Sequence, residues 1–371
     1  MSDPSSGGEI VIDADLRMQH AGMDVVGPVM EEGWRHYLGL DDDLSAHSSF
    51  RFHLPSSSYG IGSVSGKPDP AGPAPLQQVR DHLDANRIER AVLNPGTAER
   101  ISGFAYADAS IAIARATNDW LVQEWLRHDD RLFGSIVVSP RDPAAAAAEI
   151  DRFGADPRIV SVSLAYPQDL LGHRRYQPIF EAAAAHRMAL NLDAGGGFVG
   201  INRGYTGSGH PSSRYEYRVA SLLSAQMHLV SLIAEGWFDR LSRLRLTVTG
   251  SSVTWLPAVL ATMDAQYRRG DMDARLRRLP SEYLGEFIRF TTSDPDWDGT
   301  TQAVELLATI PAGNVLMFGS GTPFRPTSAP ATVLDRVPAA WRSRVGWRNA
   351  AAHYVLPIKA KPTEAKASAR V

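Results

Sequence analysis

Eight short apolar runs, rich in β-branched residues, recur along the 371-residue chain with helical stretches between them. They are EIVIDADL (9–16), RAVLNP (90–95), LFGSIVVS (132–139), RIVSVSLA (158–165), MALNLDA (188–194), LRLTVTG (244–250), FIRFTTS (287–293) and NVLMFGS (314–320). Strands this continuously apolar belong in a parallel sheet covered on both faces. Between them, RDPAAAAAEIDRF offers Asp142 as a helix N-cap and Pro143 at the first helical position. ADASIAIARATNDWLVQEWLRH repeats its apolar residues every three or four positions, as a core-facing helix does. YQPIFEAAAAHRM, VTWLPAVLATMDAQYRR and AAWRSRVGWRNAAAHYVL continue the series. The pattern predicts an α/β protein, a (β/α)8 TIM barrel. A doubly wound open sheet normally carries a Gly-rich phosphate turn after its first strand, and DADLRMQH is nothing like one.

One barrel domain is expected over residues 9–357, preceded by a loose arm (1–8) and followed by a disordered tail (358–371). A stretch rich in Ser, Gly and Pro, residues 40–75, forms a long insertion after the first strand. A barrel carries that connection over its C-terminal face, where active sites are built. A lid, an interaction surface and a plain surface insertion are all open for it. The absence of cysteine excludes disulfides and thiolate metal sites. A net charge of −3 gives no reason to expect a nucleic-acid partner. No apolar run approaches the roughly 20 residues of a membrane span, and MSDPSSGGE is not a signal sequence. A cytoplasmic protein is expected.

Several blocks together resemble the amidohydrolase-2 family, the metal-dependent barrels similar to aminocarboxymuconate-semialdehyde decarboxylase. They are VIDADLRMQH, WRHYL, LDANRIERAVLNPG, NDWLVQEWLRHDDRLFGSIVVSPRDP, LGHRRYQPIFEAAAAHRM and SLIAEGWFDRLSRLRLTVTGSSVTWLPAVLATMD, and the resemblance runs from about Ile10 to Leu356. It implies metal ligands at four strand ends: Asp-x-His on the first, His on the fifth, His or Glu on the sixth and Asp on the eighth. In this chain those positions hold Arg17, Asp193, Gly250 and Gly321, and Arg218 stands where relatives carry another His. A guanidinium is permanently cationic and does not ligate a divalent metal. No metal and no other cofactor are therefore expected at the family's site.

Other chemistries rest on Asp15, Arg17, Asp193, His210 and Asp294, all near expected strand ends or mouth loops. Asp13 and Asp15 are expected to brace the mouth and pair with Arg17, and Asp294, in TTSDPDWD, suits a turn or cap. An all-carboxylate cluster of Asp13, Asp15, Asp193 and Asp294 would suit Mg²⁺ or Mn²⁺. His210, in YTGSGHP, is the best single acid or base candidate, and His20 also lies near the mouth. His36, His82, His128, His186 and His228 fall in or beside helices as surface or internally satisfied residues. The glycines of DAGGGFVG and GSGTP, with Arg17 and Arg325, offer an anion site.

Three functions follow. The first is a pseudoenzyme, the non-catalytic scaffold or regulatory subunit of a metal-bearing paralogue. Dimers are what the resemblance implies, with Trp34, Trp237, Trp341 and Trp347 as interface candidates and core packing the default for most of them. The second is a metal-free hydrolase or decarboxylase on a small carboxylated or aromatic substrate, Arg17 holding its carboxylate. The third is a small-anion binding protein.

Overall fold

The computed structural model describes residues 10–17, 26–38, 75–95, 106–164, 167, 169–193, 213–270, 276–293, 300–322 and 329–358. The arm, nearly all of the 40–75 insertion and all but the first residue of the tail lie outside them, as do His20, His210, Asp294 and Arg325.

All eight expected strands form. They are β1 (Val11–Arg17), β2 (Ile88–Asn94), β3 (Leu132–Val137), β4 (Ile159–Ser163), β5 (Ala189–Asp193), β6 (Leu246–Thr249), β7 (Ile288–Thr291) and β8 (Leu316–Met317). Each pairs parallel with the next in chain order. The end of β8 returns to β1. Ala14 N donates to Phe318 O, Gly321 N to Asp15 O and Arg17 N to Thr322 O, each at 2.8 Å. The sheet is thereby rolled into a nearly closed barrel, the (β/α)8 fold read from the sequence.

The main helices are α1 (Glu32–Tyr37), α2 (Pro75–Ala85), α3 (Ala107–Trp120), α4 (Pro143–Phe153), α5 (Gln177–His186), α6 (Arg214–Ala234), α7 (Leu256–Arg269), α8 (Thr301–Leu307) and α9 (Asn349–Tyr354). Helix α4 starts as its sequence dictates. Asp142 accepts from Ala144 N at 3.1 Å and Ala145 N at 3.0 Å, with Pro143 following. Helix α6 is absent from the sequence reading, although Ser213 and Glu216 form a reciprocal capping box at its start. That S-x-x-E signal was there to be read.

Two apolar layers result from strand alternation. Outward residues such as Leu93, Ile136, Leu190 and Phe290 pack with Leu83, Trp120, Ile150 and Phe180 from the surrounding helices. Inward residues Ile12, Val92, Phe133, Val160, Ala189 and Met317 fill the lower barrel and meet Ala350 and Tyr354 of α9, which plugs that end. Trp237 is 2% exposed and donates to Gly172 O at 2.7 Å, so it is core rather than interface. Trp341 and Trp347 also pack against the two apolar clusters. Among the described residues no helix is long and apolar enough to cross a membrane.

Candidate active site

Above the apolar layers the barrel interior becomes polar, at the C-terminal ends of the strands. The β1–β2 register shifts between Asp13 and Leu16. Leu16 therefore joins the outer core while Asp15 reaches partners on β2 and beyond β7. Asp15 is fully buried and accepts from Asn94 Nδ2 at 2.7 Å, from Arg17 Nε at 3.1 Å and Nη2 at 3.2 Å, and from Ser293 Oγ. Asn94 in turn accepts from Asn191 Nδ2 at 2.9 Å, and Asn191 accepts from Thr249 Oγ1 at 3.1 Å. Thr291 and Ser293 hydroxyls bond at 2.8 Å. A hydrogen-bonded belt thus runs through side chains from β1, β2, β5, β6 and the β7 end.

Arg17 spans the mouth over this belt. Its side chain grips Asp15 on β1 with Nε and Nη2 and reaches Asp193 on β5 with Nη1. Arg17 and Asp193 are 6% and 8% exposed, so both face the open end from within the barrel wall. The expected pairing of Arg17 with Asp15 is present. Asp13 does not join it. Its Oδ1 accepts from Asp15 N at 3.1 Å and Ser320 N at 3.0 Å, while Oδ2 lies 3.5 Å from His82 Nε2. Asn86 donates to His82 Nδ1 at 3.2 Å, which leaves the ring proton on Nε2, toward Asp13. His82 is half-buried, its side chain 8% exposed and turned in behind the site. His228 is buried, accepting from Leu171 N at 3.2 Å, and burial lowers its pKa to about 4.

The glycines at the other two positions have a backbone cause. Gly250 and Gly321 sit at φ +69° and +66°, where side chains are disfavoured. Gly319 lies so close over Asp15 that an added Cβ would stand 2.9 Å from the Asp15 Cβ.

These side chains do not fit the divalent cation that the fold family implies. Asp15 and Asp193 both bond the Arg17 guanidinium, and a second cation there would meet it at close range. Among the described residues no three His, Cys, Asp or Glu side chains are grouped to hold a metal ion. The structure brings Asp15, Arg17 and Asp193 together and leaves Asp13 outside. His210 and Asp294 lie beyond the described residues. Asn94, Asn191, Thr249 and Ser293 were missed from the sequence. Their signal is a polar residue at alternate positions of otherwise apolar strand ends, as in VLN, LNLD and TVT.

Comparison with known proteins agrees with this architecture. The chain is 26% identical over 308 residues to a gamma-resorcylate decarboxylase of Rhodococcus jostii, covering 76% of this chain and 88% of that protein. Its fold matches 5-carboxyvanillate decarboxylase from Sphingomonas paucimobilis with a TM-score of 0.65 at 21% identity, over 94% of this chain and all of the other (100%). A second 5-carboxyvanillate decarboxylase, from Novosphingobium aromaticivorans and complexed with manganese and 4-hydroxy-3-methoxy-5-nitrobenzoic acid, matches with a TM-score of 0.66 at 18% identity, over 95% and 97% of the two chains. The amidohydrolase family model matches residues 55–356, a shorter span at the N-terminal side than the sequence blocks suggested. With most of its length matched in this way, the chain belongs to the amidohydrolase family.

Proposed function

We propose that this protein is a metal-independent lyase of the decarboxylase type, acting on a small aromatic carboxylate at the barrel mouth. The observation that carries the reading is the Arg17 guanidinium held between Asp15 and Asp193, carboxylates from strands on opposite sides of the barrel. Loss of CO2 leaves an electron pair on the ring carbon, and one proton must reach that carbon to give the arene. With Asp193 holding the proton to be delivered, the Arg17 guanidinium is left to face the anionic substrate and the charge that develops on the ring. Asp15, saturated by four donor contacts, keeps Arg17 in place. Asp193, at the rim, is the group assigned to carry the proton.

The sequence alone ranks the non-catalytic subunit first. Similarity to decarboxylases of aromatic acids, together with the polar belt under Arg17, favours the lyase. The test is CO2 release from a panel of hydroxybenzoates by chelator-treated protein, with and without added Mn²⁺. Release that survives chelation and falls at least about 100-fold in Asp193→Asn supports the assignment. Activity that appears only with Mn²⁺ overturns the metal-independent part. No release under either condition, with a barrel paralogue co-purifying, returns the scaffold reading to first place.

A further inference from the structure

The closed end of the barrel holds a second polar group, remote from the mouth. Tyr354 Oη and His353 Nε2 lie 2.9 and 3.0 Å from Thr247 Oγ1, on the inward face of β6. Burial raises the Tyr354 pKa, and the two distances suit a chain in which Tyr354 donates to Thr247 and Thr247 to His353 Nε2. In that chain the His353 ring proton sits on Nδ1, a buried atom with no hydrogen-bond partner among the described residues. Arg289 on β7 pairs in register with Thr247, and Arg245 precedes Thr247 by two residues on the same face. The described hydrogen bonds of Arg289 end on neutral carbonyls: Gly285 O, at 3.1 Å from Nε and 2.8 Å from Nη2, and Asn349 O. Arg245 Nη1 is buried and likewise has no hydrogen-bond partner among the described residues.

The charges are mutually unfavourable. Burial first, then Arg245, bring Arg289 down to about 10. Burial, then Arg289 and Arg245, hold His353 well below its usual value. Two guanidinium groups thus bear on the His353 ring, with no carboxylate among the charges that shift Arg289 or His353. Both arginines are partly exposed, which opens the cluster to solvent at the lower rim.

We infer that Arg245, Arg289 and His353 form a binding site for a small inorganic oxyanion of the phosphate class at the closed end of the barrel. The anion accepts from the Arg245 Nη1 and His353 Nδ1 donors and separates the two guanidinium groups. Because Arg289 and His353 both touch the C-terminal plug, the bound anion ties α9 to β6 and β7. This site stands or falls independently of the lyase assignment at the mouth.

The test is calorimetric titration of the full-length protein with inorganic phosphate, and thermal unfolding in a phosphate series at matched ionic strength. Saturable binding of one phosphate per chain is expected, with a melting temperature that rises and levels off. Arg245→Gln abolishes both responses, whereas Arg268→Gln, at an exposed position of α7, retains them. No saturable binding to the unmodified protein overturns the proposal. So does binding that survives Arg245→Gln, which places phosphate elsewhere. Should Arg245→Gln fail to fold, Arg289→Lys takes its place, and undiminished phosphate affinity in that variant counts against the site.

Discussion

Arg17 shows how one residue changes what a barrel mouth is able to do. Its guanidinium is the described counter-charge for two buried carboxylates, so removing it leaves two buried negative charges without that compensation. Arg17→Ala is expected to destabilise the protein by about 3–5 kcal/mol in urea denaturation. Arg17→Lys should recover only part of this, because an ammonium lacks the planar fork that grips Asp15 with two nitrogens. His228 sets a pH dependence of its own. Its folded pKa of about 4 lies below the ordinary value of 6.5, so the unfolded chain takes up the proton more readily. Stability is thus complete above pH 6.5 and falls by about 3 kcal/mol as the pH drops toward 4. Thermal melts of His228→Gln across that window should lose this slope.

Elements are joined by a few polar side chains that span their gaps. Asn118 of α3 accepts from Val137 N at 2.8 Å and donates to Val137 O at 2.9 Å and to Glu149 Oε1 at 2.8 Å. One amide thus satisfies the end of β3 and ties α3 to α4, where Glu149 also accepts from Arg152 Nε at 2.8 Å and Nη2 at 2.7 Å. Asn118→Ala leaves two buried backbone groups unpaired. A loss of about 2–4 kcal/mol is expected, read as a lower denaturation midpoint with unchanged m-value. Such a link was invisible in ADASIAIARATNDW, where Asn118 reads only as a break in the apolar stripe.

At the scale of the whole molecule, the barrel is plugged at one end by helix α9 and left polar at the other. Tyr354, 3% exposed, fills the lower barrel while its hydroxyl bonds Thr247. Tyr354→Ala should cost about 3–5 kcal/mol through the cavity it leaves. Tyr354→Phe should cost only about 1 kcal/mol, the net worth of one hydrogen bond. Equilibrium unfolding of the two variants separates packing from bonding.

The order and type of the strands and several core-facing helices, α6 not among them, were legible from the sequence, since periodicity and capping are local and survive without any partner. The barrel itself followed from eight such units in a row, and all eight strands lie within a few residues of their expected positions. Arg17, Asp193, Gly250 and Gly321 were also legible as the unusual residues of the mouth. Which atoms meet was decided only in three dimensions. Arg17 and Asp193 are 176 residues apart, and the register shift in β1 turns Asp15 rather than Asp13 toward them. Arg245 and Arg289 carry no local signal of the closed end, where Arg289 bonds Asn349 O of α9. A sequence carries its local preferences openly, but a site is built from pairings between distant segments, and these exist only once the barrel has closed.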